Sequence, residues 1–176
     1  MLVISNNCEE IGVLFPENAV IRINTAWVNT IDALRNNLDC FRKLKKQIYL
    51  DYPLGRRKPP TPKMTWEELL PIVCEYQDVV KYFAWSNAEK VEELEFARMK
   101  LPEKIMLVPK IETLLGVLHL EDIVKASKTK LIMIDKEDLA SACRDGEIYQ
   151  HFLEYTRKKA KELGIESIEL KSVVFA

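Results

Sequence analysis

The stretch LVPKIETLLGVLHLEDIVKASKTKLIMIDKEDLA, Leu107 to Ala140, decides how this chain folds. An apolar run, Ile105 to Val108, stops at Pro109, Lys110, Ile111 and Glu112. A second, Leu131 to Ile134, stops at Asp135, Lys136, Glu137 and Asp138. Short apolar runs rich in branched residues read as strands buried on both faces. One short helix, spanning roughly Leu118 to Ala126, fits between them. Strand, helix, strand without a hairpin signal means parallel strands joined by a right-handed crossover.

The same alternation extends in both directions. Further strands are expected at Leu2–Ser5, Ala19–Asn24, Gln47–Asp51, Val79–Ala84, Lys104–Val108 and Ser167–Phe175. Helices are expected over Thr30–Lys45 and Gly146–Leu163, the latter ending at Gly164. TWEE and SNAE read as capping boxes, with Thr65 and Ser86 as N-caps and Glu68 and Glu89 three residues on. The fold class is therefore α/β, either a (β/α) barrel or an open doubly wound sheet. An eight-fold barrel takes roughly 200 residues or more. A 176-residue chain would be a minimal or incomplete TIM-type barrel of about seven βα units, one domain over 1–176. An absent last unit leaves a sheet edge for a second chain to cover, so a homo-oligomer is expected. YPLGRRKPPTPK follows a strand end and is the candidate mobile lid.

Composition excludes several classes. Apolar residues make up 48% and charged residues 30%, and the net charge is −1. Neither nucleic acid nor an anionic membrane surface is an expected partner. No apolar run reaches the ~20 residues of a membrane span, and MLVISNNCEE does not read as a secretory leader. Cys8, Cys40, Cys74 and Cys143 form no CxxC pair, and His119 and His151 stand at no zinc-like spacing from them. The cysteines are read as reduced packing residues of a cytoplasmic protein. Both histidines are read as structural, and Trp27 and Trp66 as packing residues. Five glycines, with no GxGxxG and no GxxxxGK[ST], exclude the common phosphate-cradling loops.

In parallel α/β folds ligands bind at the carboxyl ends of strands. The residues placed there are Arg22 and Asn24, then Asp51, then Ser86, then Lys110, Glu112 and Thr113, then Asp135 and Asp138, and finally Lys171. Residues two apart on a strand share a face, which pairs Lys110 with Glu112 and Arg22 with Asn24. Glu112 and Asp138, from neighbouring strands, would offer hard oxygen ligands to Mg2+ or Mn2+. Lys110 and Arg22 would suit an anionic oxo acid, opposite the oxygen on which enolate charge develops.

At these residues the sequence resembles the phosphoenolpyruvate/pyruvate-binding barrel superfamily. In the pyruvate kinase branch, a lysine-isoleucine-glutamate motif is followed by a glycine four residues on, then by a helix and a strand ending at an aspartate. Lys110, Glu112, Gly116 and Asp138 match. IRIN, YLDYPLGRRK and YFAWSNAEKVEEL are similar to that branch's earlier strands. IETLLGVLHLEDI and KEDLA resemble equally the HpcH/HpaI aldolases and citrate-lyase β-type proteins. The resemblance implies that Glu112 and Asp138 bind a divalent metal, that Arg22 binds the substrate carboxylate or phosphate, and that Lys110 assists protonation of an enolate. Substrate contacts are implied for Asn24, Asp51, Ser86, Thr113 and Lys171.

The function so implied is a Mg2+- or Mn2+-dependent enzyme acting on the enolate of pyruvate or a related 2-oxo acid, of aldolase or C–C lyase type. A different reading is a degenerate, non-catalytic barrel serving as a binding or assembly partner. Low glycine, the absence of an eighth strand after Ala176, and Lys136-Glu137 in place of the glycine-containing turn of active relatives motivate it. A pyruvate kinase-type phosphotransferase would have to bind ADP without the lid domain that kinases insert after the third strand.

Overall fold

A computed structural model describes residues 3–5, 19–55, 60–143 and 145–169. Cys8, the basic part of the Pro-rich loop, the end of the last expected strand and Lys171 lie outside the described residues. Two compact units are present. The first takes in the residues up to Ala84 together with Leu101–Met106, and the second Trp85–Lys100 and the residues from Leu107 onward.

In the first unit the strands β1 (Val3–Ser5), β2 (Val20–Asn24), β3 (Gln47–Tyr52) and β4 (Val80–Trp85, whose last residue belongs with the second unit) lie side by side in chain order. β1 with β2 and β2 with β3 are parallel, and Asn24 stands opposite Asp51. Parallel strands have both faces covered, which explains why the consecutive residues Ile48, Tyr49 and Leu50 are all fully buried although neighbouring side chains point to opposite faces. Helix α1 (Ile31–Lys43) starts where the Thr30 hydroxyl accepts from the Ala33 N–H at 3.1 Å, and it buries Leu34, Leu38 and Phe41. Helix α2 (Trp66–Glu75) starts on the expected capping box: Thr65 N–H donates to Glu68 Oε2 at 2.8 Å and Glu68 N–H to Thr65 Oγ1 at 3.3 Å. Trp66 packs edge-on against Phe83, ring centres 5.6 Å apart, with Tyr52 beside both. Burial raises the pKa of the Tyr52 hydroxyl.

Trp27 departs from its expected packing role. The 3-10 turn Thr25–Trp27 buries Thr25 and Ala26 and leaves the indole 56% exposed. Three residues make one turn of such a helix, so only part of it can face inward.

The second unit holds α3 (Val91–Lys100), β5 (Met106–Ile111, whose first residue belongs with the first unit), α4 (Leu114–Leu118), α5 (Leu120–Ser127), β6 (Leu131–Ile134), α6 (Lys136–Cys143), α7 (Gly146–Glu162) and β7 (Glu166–Glu169). β5 pairs parallel with β6 and β6 with β7, with Ile111 opposite Ile134 and Ile134 opposite Glu169. The fifth strand does not stop at Val108. It runs through Pro109 to Ile111, because proline removes only one ladder donor and its fixed φ suits extended backbone. Burying Val108 and Ile111 completely outweighs that single lost bond. The one expected helix between β5 and β6 is two, α4 and α5, joined at His119, whose Nδ1 lies 3.2 Å from the Glu89 carbonyl.

Glu121 on α5 ties two elements together, its carboxylate oxygens each 2.9 Å from the ammonium of Lys125 and of Lys159 on α7. Hydrogen bonds from these two lysines lower its pKa from 4.5 to about 2. A depressed carboxylate stabilises the fold above its unfolded pKa and loses that contribution as pH falls through the folded value. Glu121→Gln should therefore lower the unfolding midpoint at neutral pH. The gap from the parent should close as pH falls from about 4.5 towards 2, and should shrink in high salt because the pairs are exposed. Thermal melts across pH check this. Among the described residues no helix is long and apolar enough to cross a membrane.

Candidate functional site

The carboxyl end of β5 is the chemically densest place in the second unit. Lys110, on the strand, and Glu112, just beyond it, are each 4% exposed. Two positions apart on extended chain they share a face, and Lys110 Nζ lies 2.5 Å from Glu112 Oε1. The same ammonium donates to Ser86 Oγ at 3.1 Å and lies 3.8 Å from Asp135 Oδ2. Burial of such charges is tolerated only where partners replace water, and this ammonium has them.

Glu112 is held from its other side. Asn87 N–H donates to Glu112 Oε2 at 2.8 Å, and Ala88 N–H to the Lys110 carbonyl at 3.3 Å. Asn87 aims its N–H there from a left-handed conformation, φ 48°, which asparagine tolerates better than most residues. That geometry also explains why SNAE does not cap a helix. Ser86 serves the buried ammonium, α3 begins only at Val91, and the left-handed Asn87 cannot sit in a helical turn. A charge-assisted bond in a buried site is stronger than a neutral cap at the surface.

Asp135 follows β6 directly and is 6% exposed. Its N–H donates to the Ile111 carbonyl at 3.2 Å, and its Oδ1 accepts from Asp138 N–H at 3.3 Å, an N-cap-type contact that starts α6. The half-buried Asp138 thus lies in the first helical turn rather than in an open loop. One carboxylate oxygen from each of Glu112, Asp135 and Asp138 lies within 4.8 Å of the other two. Hard oxygens from three carboxylates are the donor set that Mg2+, Mn2+ and Ca2+ prefer, so the residues present fit such an ion.

Thr113 is engaged as a cap, its Oγ1 accepting from Gly116 N–H at 3.1 Å to start α4. Gly116 is required by close approach, since a Cβ there would stand 2.9 Å from the Ala88 carbonyl oxygen. Gly116→Ala must push α4 off the segment that carries Ser86 and Asn87. It should cost about 1–3 kcal/mol, read as a lower urea midpoint at unchanged m-value.

In the first unit, Arg22 donates from Nε (2.9 Å) and Nη2 (2.5 Å) to Asp51 Oδ2, both residues buried. Thr25 Oγ1 donates to the Asp51 carbonyl at 3.1 Å, and Asn24 Oδ1 accepts from Ala26 N–H at 3.0 Å, capping the 3-10 turn. Ser86, Lys110, Glu112 and Asp138 gather in the second unit, and Arg22, Asn24 and Asp51 in the first. Asp135 was placed at a strand end from sequence but was given no ligand role there, and Asn87 was not singled out at all. Asp135 carried a legible signal, as the first residue after a buried strand. Asn87 carried none, because its contribution is a backbone N–H. Cys143 is buried, which raises its thiol pKa and fits an inert packing role.

No protein-family model matches the sequence, and no curated protein sequence matches it significantly. Solved structures do match. Citrate synthase SbnG superposes with a TM-score of 0.72 at 13% identity, over 97% of this chain and 77% of that one. An HpcH/HpaI aldolase/citrate lyase family protein from Burkholderia cenocepacia J2315 gives 0.69 at 11% identity, over 96% and 77%. A variant of SbnG gives 0.71 at 14% identity. These likenesses span nearly the whole chain, and at 11–14% identity they show a shared fold. The chain thus carries the α/β fold shared by SbnG-type citrate synthase and the HpcH/HpaI aldolase/citrate lyase proteins.

Proposed function

We propose that this chain, built as an incomplete (β/α) barrel, is a divalent-metal-dependent enzyme acting on the enolate of pyruvate or a related 2-oxo acid, of aldolase or C–C lyase type. The observation that carries the reading is the meeting of Glu112, Asp135 and Asp138, each offering an oxygen within 4.8 Å of the others, beside the buried ammonium of Lys110. The fold shared with an aldolase/citrate lyase family protein and with a citrate synthase supports it.

Glu112, Asp135 and Asp138 would hold Mg2+ or Mn2+, and the bound ion supplies Lewis-acid polarisation of a carbonyl oxygen. Asn87 N–H holds Glu112 in position before substrate arrives, and Ser86 Oγ holds Lys110 beside it in the metal-free chain. Lys110 keeps a proton at Nζ within this low-dielectric spot and is the group suited to protonate an enolate carbon. Near-complete burial of Lys110 and Glu112 keeps bulk water from competing for that proton.

A direct test needs no knowledge of the second substrate. Methyl protons of pyruvate in D2O, followed by NMR, should exchange faster with protein and Mg2+ than with either alone, and EDTA should stop the effect. Absence of any protein-dependent, metal-dependent exchange with pyruvate and 2-oxobutyrate would remove the proposal.

One observation favours the non-catalytic alternative. Lys110 already reaches two of the three carboxylates, so the cluster is partly neutralised by the chain itself.

A further inference from the structure

We infer that Lys110 is a resident cation of the Glu112–Asp135–Asp138 cluster, and that a divalent ion takes the cluster only by displacing its ammonium. The inference rests on the metal-binding reading above and deepens it into a control on metal occupancy.

Three closely placed carboxylates repel one another, and the repulsion is strong where water is excluded. Lys110 relieves it directly, with Nζ 2.5 Å from Glu112 Oε1 and 3.8 Å from Asp135 Oδ2, and Ser86 Oγ at 3.1 Å fixes the ammonium in place. An ion held by these carboxylates sits about 2.0–2.6 Å from their oxygens. That places it within a few ångströms of the present ammonium position, at a separation where two cations in a buried site repel strongly. The four-carbon stem of lysine has rotamers through which the head can move away, which the planar fork of an arginine would do less readily. The cluster can therefore fold and persist with its own lysine as counter-ion. Its affinity for a metal is the carboxylates' intrinsic affinity reduced by the competition with Lys110.

The test is Mn2+ titration of the full chain by calorimetry, with circular dichroism to verify folding. Lys110→Met and Lys110→Gln keep much of the stem and remove the charge, and each should bind Mn2+ about tenfold tighter or more than the parent. The same variants should lose the enolate-protonating group, so tighter metal binding would coincide with lost pyruvate exchange. In the parent protein, acetylation of Lys110 by acetic anhydride, read by mass spectrometry, should rise when Mn2+ is added. Mn2+ binding to the parent with equal or weaker binding to the folded variants overturns the inference and leaves the metal site standing. Unchanged Lys110 acetylation in the Mn2+-bound parent overturns it as well, and does so even if both variants fail to fold. No Mn2+ binding by any folded form overturns the inference and the metal-binding reading together.

Discussion

Glu112→Gln should lose metal-dependent pyruvate exchange by about 100-fold or more while remaining folded. The substitution keeps the size of the side chain and leaves an amide oxygen to accept from Asn87 N–H, so the local backbone has no reason to move. It removes one of three negative charges from the cluster, and with it a hard anionic ligand. It also removes an ion-pair partner of Lys110, 2.5 Å away, leaving Asp135 and Ser86 among the groups that hold the ammonium. The expected signature is a weaker metal isotherm in a chain still folded by circular dichroism, with a thermal midpoint lowered by the loss of one buried ion pair. Exchange at parental rates, with metal still required, would exclude Glu112 as a ligand.

Arg22→Ala should have its largest effect on stability. Arg22 is 7% exposed and Asp51 fully buried, and Nε and Nη2 converge on one carboxylate oxygen. Removing the guanidinium takes a two-donor charged partner from a buried carboxylate, and breaking such a pair costs about 3–5 kcal/mol. For a chain of this length that corresponds to a fall of roughly 6–20 °C in melting temperature. Arg22→Ala combined with Asp51→Ala should recover part of the loss, because the carboxylate that lost its guanidinium is removed with it. A melt within a degree or two of the parent for Arg22→Ala alone would show that Asp51 finds its stabilisation elsewhere.

The sequence carried the elements well where the controlling interactions are local. Thr65 with Glu68, and Thr30 before its helix, cap as read, because a cap is decided within four residues. β6 matches its expected limits because an apolar run flanked by polar residues has little freedom to slide. Errors fell where a distant partner outweighed a local preference. Ser86 left a helix cap for the ammonium of Lys110, 24 positions away, and β5 runs on past Pro109 to pair Lys110 and Ile111 with β6. Thr113 Oγ1 also accepts from Gly116 N–H to start α4, a capping role not read from the sequence.

From sequence alone this protein is a run of parallel βα units with charges gathered at the strand ends, since apolar periodicity and capping are properties of neighbouring residues. Which charges meet was decided only in three dimensions. Arg22 reaches Asp51 across 29 positions, and Lys110 reaches Asp135 across 25, because strand register and crossover length bring those ends together. A carboxylate reads the same in sequence whether it faces water, a lysine or a metal. The third carboxylate, the ammonium among them and the backbone N–H on Glu112 therefore belong to the tertiary structure.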